Sequence, residues 1–153
     1  MSRPSLCIRC AQAPLAKERK CLCGGGIERF ASDAEARRFM ELFLMEKSGK
    51  IFALKCHPAY PLNVRTNDNS LVVSVGKYIA SFSYVKAAPS TLKERINFSA
   101  GGANAGAIED VKPHKLIKNK CGEHVLKPII TPYAALRIKL FEALYGIKIK
   151  LVG

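Results

Sequence analysis

Apolar residues recur at helical spacing in two stretches of the chain. The first covers residues 32–47, where Ser32 is a favourable N-cap. The second covers residues 131–146, between the capping residue Thr131 and the terminating Gly146. The apolar positions of the two stretches are Ala36, Phe39, Met40, Phe43 and Leu44, and then Tyr133, Leu136, Leu140, Phe141 and Leu144. The spacing predicts two helices that each pack through one face.

Between and after these helices the apolar residues come in short runs separated by turn residues, which is typical of strands. The predicted strands are residues 51–56, 61–65, 71–75, 77–85, 107–112 and 147–151. Residues 86–106 have little periodicity and several glycines and alanines, so we expect a mobile surface excursion there. The lysine-rich segment before the second helix is expected to be a basic loop. The chain therefore predicts a domain that contains both helices and strands.

Composition and charge narrow the classes of protein that fit the chain. Its 153 residues are 48% hydrophobic, which suits one globular domain and excludes general disorder. No apolar run is long enough for a membrane span, and the first residues lack the apolar run of a secretory signal, so we expect a soluble protein of the cytoplasm. The formal charge is +13, with nine cations against two acids between Lys112 and Lys150. This excess favours a polyanionic partner, such as nucleic acid.

Four cysteines lie in two close pairs near the start of the chain. Cys7 and Cys10 are separated by two residues, and Cys21 and Cys23 by one. Tetrahedral Zn²⁺ is commonly held by four thiolates in close pairs of this kind, so the pattern predicts a small zinc knuckle. Four reduced thiols on a loosely ordered tail, or a redox role, are the alternatives.

The remaining potential ligands for such a metal are isolated residues. Cys56 and Cys121 are expected to be packing residues, and His57 and His114 are lone histidines without a predicted metal role.

A carboxylate and a lysine are predicted to share one face of the strand at residues 107–112. Asp110 and Lys112 are two residues apart, which places them on the same side with about 7 Å between their Cα atoms. In metal-assisted cleavage of a phosphodiester, a carboxylate holds Mg²⁺ and a lysine orients water or stabilises developing charge. A surface ion pair would have the same pattern. Glu35 also has two interpretations, because Ser32 and Glu35 form a capping box while Glu35 lies at the edge of the packed helix face.

The order of several segments resembles a phage-associated family of the PD-(D/E)xK nuclease superfamily, some members of which have a Cys-rich head. The resemblance extends from about residue 30 to the C-terminus, apart from residues 86–106. The segments that carry it are Phe30-x-Ser32-x-x-Glu35-Ala36-x-Arg38-Phe39-x-Glu41-Leu42, Gly49-Lys50-Ile51, Leu54, His57-Pro58-x-Tyr60-Pro61-Leu62, Lys77-Tyr78-Ile79-Ala80-x-Phe82-x-Tyr84, Ile108-Glu109-Asp110-Val111-Lys112, and Thr131-Pro132 to Tyr145-Gly146-Ile147-Lys148-Ile149.

The resemblance implies a restriction-endonuclease-like α/β fold, in which helices flank a mixed sheet, with a divalent metal (Mg²⁺ or Mn²⁺) and cleavage of DNA. In it Glu35 matches the helix glutamate, and Asp110 and Lys112 match the (D/E)xK element, so Glu35 and Asp110 would hold magnesium. Ser81 stands where the family has an aspartate, the principal metal ligand. A hydroxyl is a poor ligand for a hard cation, so cleavage is in doubt.

The alternatives for that position are an impaired metal site, substitution by another acid such as Glu109, or DNA binding without cleavage. Within a continuous strand 77–85, Ser81 would lie on the face opposite to Tyr78, Ala80, Phe82 and Tyr84. A neighbouring strand could then bring Asp110 and Lys112 into one pocket with Ser81.

These observations predict a zinc knuckle in residues 1–29 and a nuclease-like domain in residues 30–153. The expected function is that of a phage or prophage-type DNA endonuclease in the bacterial host cytoplasm, with or without specificity for DNA structure. The first alternative is a non-catalytic DNA-binding protein, and a second is an RNA-binding or protein-interaction module built on the head. DNA contacts are expected from Lys115, Lys118 and Lys120. No membrane partner is expected, and a homodimer is left open.

Overall fold

The computed structural model describes residues 3–13, 21–66, 71–86, 106–118, 121 and 123–153. Its strands and helices in chain order are β1 (Ser5–Cys7), β2 (Ile27–Arg29), α1 (Asp33–Lys47), β3 (Phe52–Cys56), β4 (Ala59–Arg65), β5 (Val72–Ile79), β6 (Phe82–Val85), β7 (Ala107–Val111), β8 (His114–Lys118), β9 (His124–Pro128), α2 (Pro132–Tyr145) and β10 (Ile149–Val152). The expected excursion at 86–106 lies outside the described residues, except for its ends, Lys86 and Gly106.

A four-stranded mixed sheet with the strand order β10-β7-β6-β3 forms the centre of the fold. β10 runs parallel to β7, whereas β6 is antiparallel to both β7 and β3. Side chains alternate between the faces of a strand, so the sheet supports two apolar clusters. Phe39 and Leu42 of α1 pack with Phe82 on one face, and Phe141 of α2 packs with Ile108 on the other. The expected α/β class and mixed sheet with helices are therefore confirmed.

The two helices begin and end close to the predicted residues because their caps are local. The Ser32 hydroxyl accepts a hydrogen bond from the Glu35 N–H (3.2 Å), and the Thr131 hydroxyl accepts one from Ala134 (3.2 Å). Gly146 ends α2 in a left-handed conformation (φ +68°) that glycine adopts without strain. Neither these helices nor any other within the described part of the chain is long and apolar enough to cross a membrane.

The predicted apolar stripes of the helices were partly wrong. Helix α1 buries Leu42 as well as Phe39, while α2 buries Ile138 and Phe141. Several predicted stripe residues are exposed instead, namely Met40, Leu44, Tyr133, Leu136 and Leu144. Each helix has apolar residues over more than one face, and the position of the sheet decides which face is covered.

The boundary between β5 and β6 also differs from the prediction. β5 continues through Gly76 (φ +115°) to Ile79, and the chain leaves regular strand geometry at Ala80 and Ser81. This break changes the alternation of side chains, so Tyr78 packs in the α2 cluster and Phe82 in the α1 cluster. The predicted single strand 77–85, with these residues on one face, was therefore wrong.

The expected basic loop before α2 is also different, because it contains two paired strands. β8 and β9 form an antiparallel ribbon in which His114 is opposite Pro128 and Lys118 is opposite His124. Lys120 lies outside the described residues.

A buried carboxylate joins α1 to the sheet. Glu109 is fully buried and accepts two hydrogen bonds from Arg38 (2.7 and 2.9 Å), one from Tyr84 (2.7 Å) and one from Lys150 (3.1 Å). Burial by itself would raise the pKa of Glu109, but the hydrogen bonds from Arg38, Tyr84 and Lys150 outweigh it and hold the pKa below its ordinary value. Glu109 is thus held by partners on the α1 face of the sheet.

Replacing Glu109 with Gln is expected to destabilise the fold, because it leaves the Arg38 cation beside an uncharged partner. We expect the free energy of unfolding at pH 7 to fall by about 3–5 kcal/mol, the range for one partner removed from a buried pair. The matched change Glu41→Gln removes the other, exposed partner of Arg38 and should cost at most about 1 kcal/mol. Urea denaturation measures both, and equal losses in the two variants would contradict the assignment.

The same variant tests the pH dependence of this contribution. A carboxylate with a lowered pKa in the folded protein stabilises the fold above its ordinary pKa, and this stabilisation is lost as the pH falls through the lowered value. The ordinary pKa here is 4.5. Below it, the stability of the unmodified protein should decline more steeply than that of Glu109→Gln, as urea denaturation over a series of acidic pH values would show.

Candidate functional site

The four cysteines of the head converge on one point. The Sγ atoms of Cys7 and Cys23 are 3.4 Å apart, those of Cys10 and Cys21 are 3.5 Å apart, and those of Cys10 and Cys23 are 3.6 Å apart. All four lie within 4.8 Å of one another, and none is in a disulfide. Four sulfurs around Zn²⁺ at about 2.3 Å would be separated by about 3.8 Å. The predicted set is therefore assembled, and it can hold a metal such as zinc.

The backbone of the head is shaped for this cluster. Gly25 is the critical position, because a Cβ there would lie 2.6 Å from the Cys7 sulfur and 2.6 Å from the Arg9 Cβ. Gly24 adopts φ +77° in the turn between the second pair of cysteines and β2. The glycine run after Cys23 thus allows the chain to approach the sulfurs closely.

The thiols compete for ionisation when no cation lies among them. Burial raises the pKa of Cys7, but hydrogen bonds from the backbone of Arg9 and Cys10 and from the thiols of Cys23 and Cys10 lower it to about 6. For Cys10, the backbone of Gln12 lowers the pKa, but burial and the other three thiols outweigh this and raise it to about 12. One thiolate thus suppresses its neighbours, and a dication would relieve the competition by binding all four.

The head is also part of the main core. Ala11 packs in the α1 cluster, and the Phe30 N–H donates to the Pro4 carbonyl (2.9 Å). Loss of the head conformation would therefore disturb the packing beneath α1.

Asp110 and Lys112 lie together at the end of β7, as their spacing predicts. The Lys112 Nζ is 2.9 Å from Asp110 Oδ2, and the Tyr78 hydroxyl donates to the same oxygen (2.8 Å). The Ser81 hydroxyl donates to Asp110 Oδ1 (3.4 Å) and accepts a hydrogen bond from the Val111 N–H (3.1 Å). The structure therefore brings Ser81, Asp110 and Lys112 into one site.

Tyr78 is a member of this site that the sequence analysis missed, because the break at Ala80 and Ser81 places it on the same side as Ser81. Burial and the adjacent Asp110 carboxylate raise the pKa of the Tyr78 hydroxyl, which stays a proton donor at neutral pH. The break itself has no clear sequence signal.

Beside Asp110 is an open cleft of about 290 Å³ with a cationic lining. Its cations are Lys77, Lys112 and Arg137, and the Arg137 guanidinium lies 5.3 Å from the centre of the Tyr133 ring. Such a cleft suits a ligand that combines an anionic group with a planar ring, as the phosphate and base of a nucleotide do.

Glu35 lies elsewhere, on the α1 side of the sheet. Its carboxylate accepts a hydrogen bond from the Ala31 N–H (2.7 Å) and lies 3.4 Å from His57 Nε2. His57 Nδ1 is 2.7 Å from the Glu28 carboxylate of β2. The backbone N–H of His57 donates a hydrogen bond to the Ser81 carbonyl (3.0 Å). Glu35 therefore caps its helix and ties it to the head, and it is linked to the Asp110 site indirectly, through His57 and the backbone of Ser81.

The residues around Asp110 do not fit a magnesium site. Among the described residues, Asp110 is the one carboxylate there, and it already pairs with an ammonium group, whereas Mg²⁺ and Mn²⁺ prefer several oxygen ligands. In the part of the chain that the structure describes, the cysteine cluster is the only group of three or more potential ligands this close together. Glu109 does not complete the site, because it is held by Arg38, Tyr84 and Lys150 on the opposite face.

Fold and site together define a mixed α/β protein whose head contains four cysteines that could hold a metal. Comparison of the chain with protein-family models, curated proteins and solved structures finds no match in any of the three.

Proposed function

We propose that this protein binds DNA on a phage-type PD-(D/E)xK nuclease framework, and that its cleavage centre at Asp110 and Lys112 lacks one carboxylate. The proposal rests on the sequence resemblance together with the geometry at Asp110. In outline, a mixed sheet with one helix packed in an apolar cluster on each face agrees with the fold that the resemblance implies.

The observation that carries the proposal is the contact between Ser81 and Asp110. Ser81 stands at the position of the expected aspartate, and its hydroxyl is 3.4 Å from Asp110 Oδ1. A carboxylate at residue 81 would lie beside that of Asp110, where two acids can share a metal. Because residue 81 is serine, it donates a hydrogen bond to Asp110 and supplies no carboxylate to a metal.

The distribution of charge in and next to the cleft supports an anionic partner. Lys77, Lys112 and Arg137 line the cleft beside Asp110. Lys115, Lys118 and Lys127 follow directly on the ribbon and are exposed. A run of cations that continues from the cleft onto a neighbouring element suits a phosphate backbone better than a single small anion.

The second candidate function is that of an active endonuclease, which the Asp110–Lys112 pair favours. The Lys112 ammonium group lies 2.9 Å from the Asp110 carboxylate. A phosphate that took the place of this carboxylate would lie close enough for Lys112 to stabilise its negative charge.

The experiment that tests the proposal is a binding and cleavage assay of the full chain on linear and branched duplex DNA, with Mg²⁺ or Mn²⁺. We expect retarded DNA that remains intact. Efficient cleavage by the unmodified chain would favour the second candidate, and the absence of binding to either DNA would contradict both.

The ribbon lysines are expected to contribute to the salt dependence of binding. Removing one lysine–phosphate interaction should flatten the slope of log affinity against log salt by about 0.9 for duplex DNA. We therefore expect a slope flatter by about 1.8 in Lys115→Ala/Lys118→Ala. Lys50→Ala, an exposed lysine after α1, is the matched control and should leave the slope unchanged. An unaltered slope in the double variant would remove the ribbon lysines from the interface. Lys120, in the predicted set, can be tested in the same way.

A further inference from the structure

The ribbon formed by β8 and β9 begins directly beside the candidate site. Only Pro113 separates Lys112 from β8, and the Ile129 N–H donates to the Pro113 carbonyl (2.7 Å) to close the base of the ribbon. Beyond this base the two strands pack mainly on each other. A ligand held at the Asp110 cleft would therefore meet the ribbon next.

Like charges face each other across the ribbon. Lys115 is directly opposite Lys127. Directly opposite residues of an antiparallel pair have Cβ atoms about 4.5–5.5 Å apart, so facing cations destabilise the free ribbon. Neither strand contains an acidic residue that could neutralise them. An anion between the lysines would remove this repulsion.

The ribbon also presents two leucines side by side. Leu116 and Leu126 are directly opposite each other and share a face, and they are 59% and 64% exposed. The next pair on that face is Lys118 and His124, whereas Lys115 and Lys127 lie on the opposite face of the ribbon. Paired apolar side chains at the surface, bordered on one side by the Lys118 cation, suit a partner that is anionic outside and apolar inside.

Duplex DNA has that combination, because phosphates border the grooves and stacked bases lie between them. Proteins that bend DNA insert leucine and similar side chains between base pairs, and two-stranded ribbons are among the elements that enter a groove. Building on the proposed function, we propose that this ribbon is a DNA-deforming arm: Leu116 and Leu126 wedge between base pairs while Lys118, on the same face, binds a flanking phosphate.

The hairpin of β4 and β5 provides an internal contrast. Val64 and Val73 are also directly opposite each other and are 38% and 44% exposed. Within these two described strands no pair of cations faces across the hairpin, since Arg65 is opposite Val72 and Lys77 is opposite Pro61. The hairpin therefore offers a matched apolar pair without the facing charges.

Relaxation of a closed circular plasmid tests the wedge without knowledge of a preferred sequence. The plasmid is relaxed by a topoisomerase that needs no metal, in the presence of the full chain and without added divalent cation, and the topoisomers are separated after protein removal. Insertion between base pairs unwinds DNA, so the unmodified protein should shift the topoisomer distribution in proportion to the amount bound. Leu116→Ala/Leu126→Ala should lose most of this shift per bound molecule. Leu116→Met/Leu126→Met should keep it, as should Val64→Ala/Val73→Ala.

The outcomes separate this inference from the proposed function. Binding without any topoisomer shift, or the same shift in the alanine variant, would overturn the wedge and leave DNA binding intact. A change from dimer to monomer in the alanine variant, with the shift retained, would make the leucine face a self-association surface instead. Absence of DNA binding by the folded, unmodified chain would overturn both proposals.

Discussion

The variant Ser81→Asp is expected to gain metal-dependent cleavage of DNA, where the unmodified chain shows weak or undetectable cleavage. The Ser81 hydroxyl lies 3.4 Å from Asp110 Oδ1, so the new carboxylate would form a pair of acids next to Lys112. Such a pair holds Mg²⁺ or Mn²⁺ far better than one ion-paired carboxylate does. Product formation on branched and linear duplexes, with and without metal, measures the gain.

Three further variants control this experiment. Ser81→Asn has nearly the shape of the aspartate without its charge, and should stay inactive. Asp110→Ala or Lys112→Ala, added to Ser81→Asp, should abolish the gained activity. Robust cleavage by the unmodified chain, or by Ser81→Asn, would show that a carboxylate at residue 81 is not the missing part.

Thermal unfolding gives a second readout of the same variant that does not depend on turnover. Two adjacent buried carboxylates repel each other without a cation, so Ser81→Asp should have a lower Tm than the unmodified protein in metal-free buffer. Mg²⁺ or Mn²⁺ should raise the Tm of Ser81→Asp and leave that of Ser81→Asn unchanged, because a ligand that binds the native state stabilises it. A folded Ser81→Asp variant that binds DNA but shows neither metal stabilisation nor cleavage would favour a purely DNA-binding role.

Loss of zinc from the head is expected to have the second large effect. Structural zinc contributes on the order of 10–16 kcal/mol in isolated zinc-finger peptides, and the head residue Ala11 packs in the α1 cluster. We expect one zinc per chain in the purified protein, and its loss in Cys10→Ser together with a Tm lower by several degrees. Metal analysis and thermal unfolding of the same samples measure both.

Cys121→Ser is the control for the zinc experiment, because Cys121 is an exposed cysteine outside the cluster. It should keep its zinc and its Tm. Zinc-free unmodified protein, or unchanged zinc after all four head cysteines are replaced by serine, would contradict the assignment and favour free thiols.

The parts of the fold that the sequence predicted are those specified by neighbouring residues. Ser32 and Thr131 cap their helices through hydrogen bonds to residues three positions away, and the thiol pairs are close in sequence. The Asp110–Lys112 pair likewise follows from alternation along a single strand.

The parts that were missed depend on contacts between distant segments. The break at Ala80 and Ser81 arises where β5, in the outer hairpin, is followed by β6 in the central sheet, and it brings Tyr78 to Asp110. Glu35 reaches His57 because α1 packs beside β3, and no local pattern encodes that partner. The pairing of β8 with β9 was missed because the segment is rich in lysine, and such a polar segment was predicted to be a loop.

Equilibrium binding of the unmodified chain to a labelled DNA duplex, measured by fluorescence anisotropy over a series of salt concentrations, tests the central claim most directly. The zinc-loaded full chain is used without added divalent metal, so that binding is observed apart from cleavage. The cations of the cleft and the ribbon predict tight binding at low salt, with a slope of log affinity against log salt of about −3 or steeper, equivalent to three or more phosphate contacts. No binding at low salt, or an affinity that does not change with salt, would contradict the claim that this protein binds DNA through its cleft and ribbon cations.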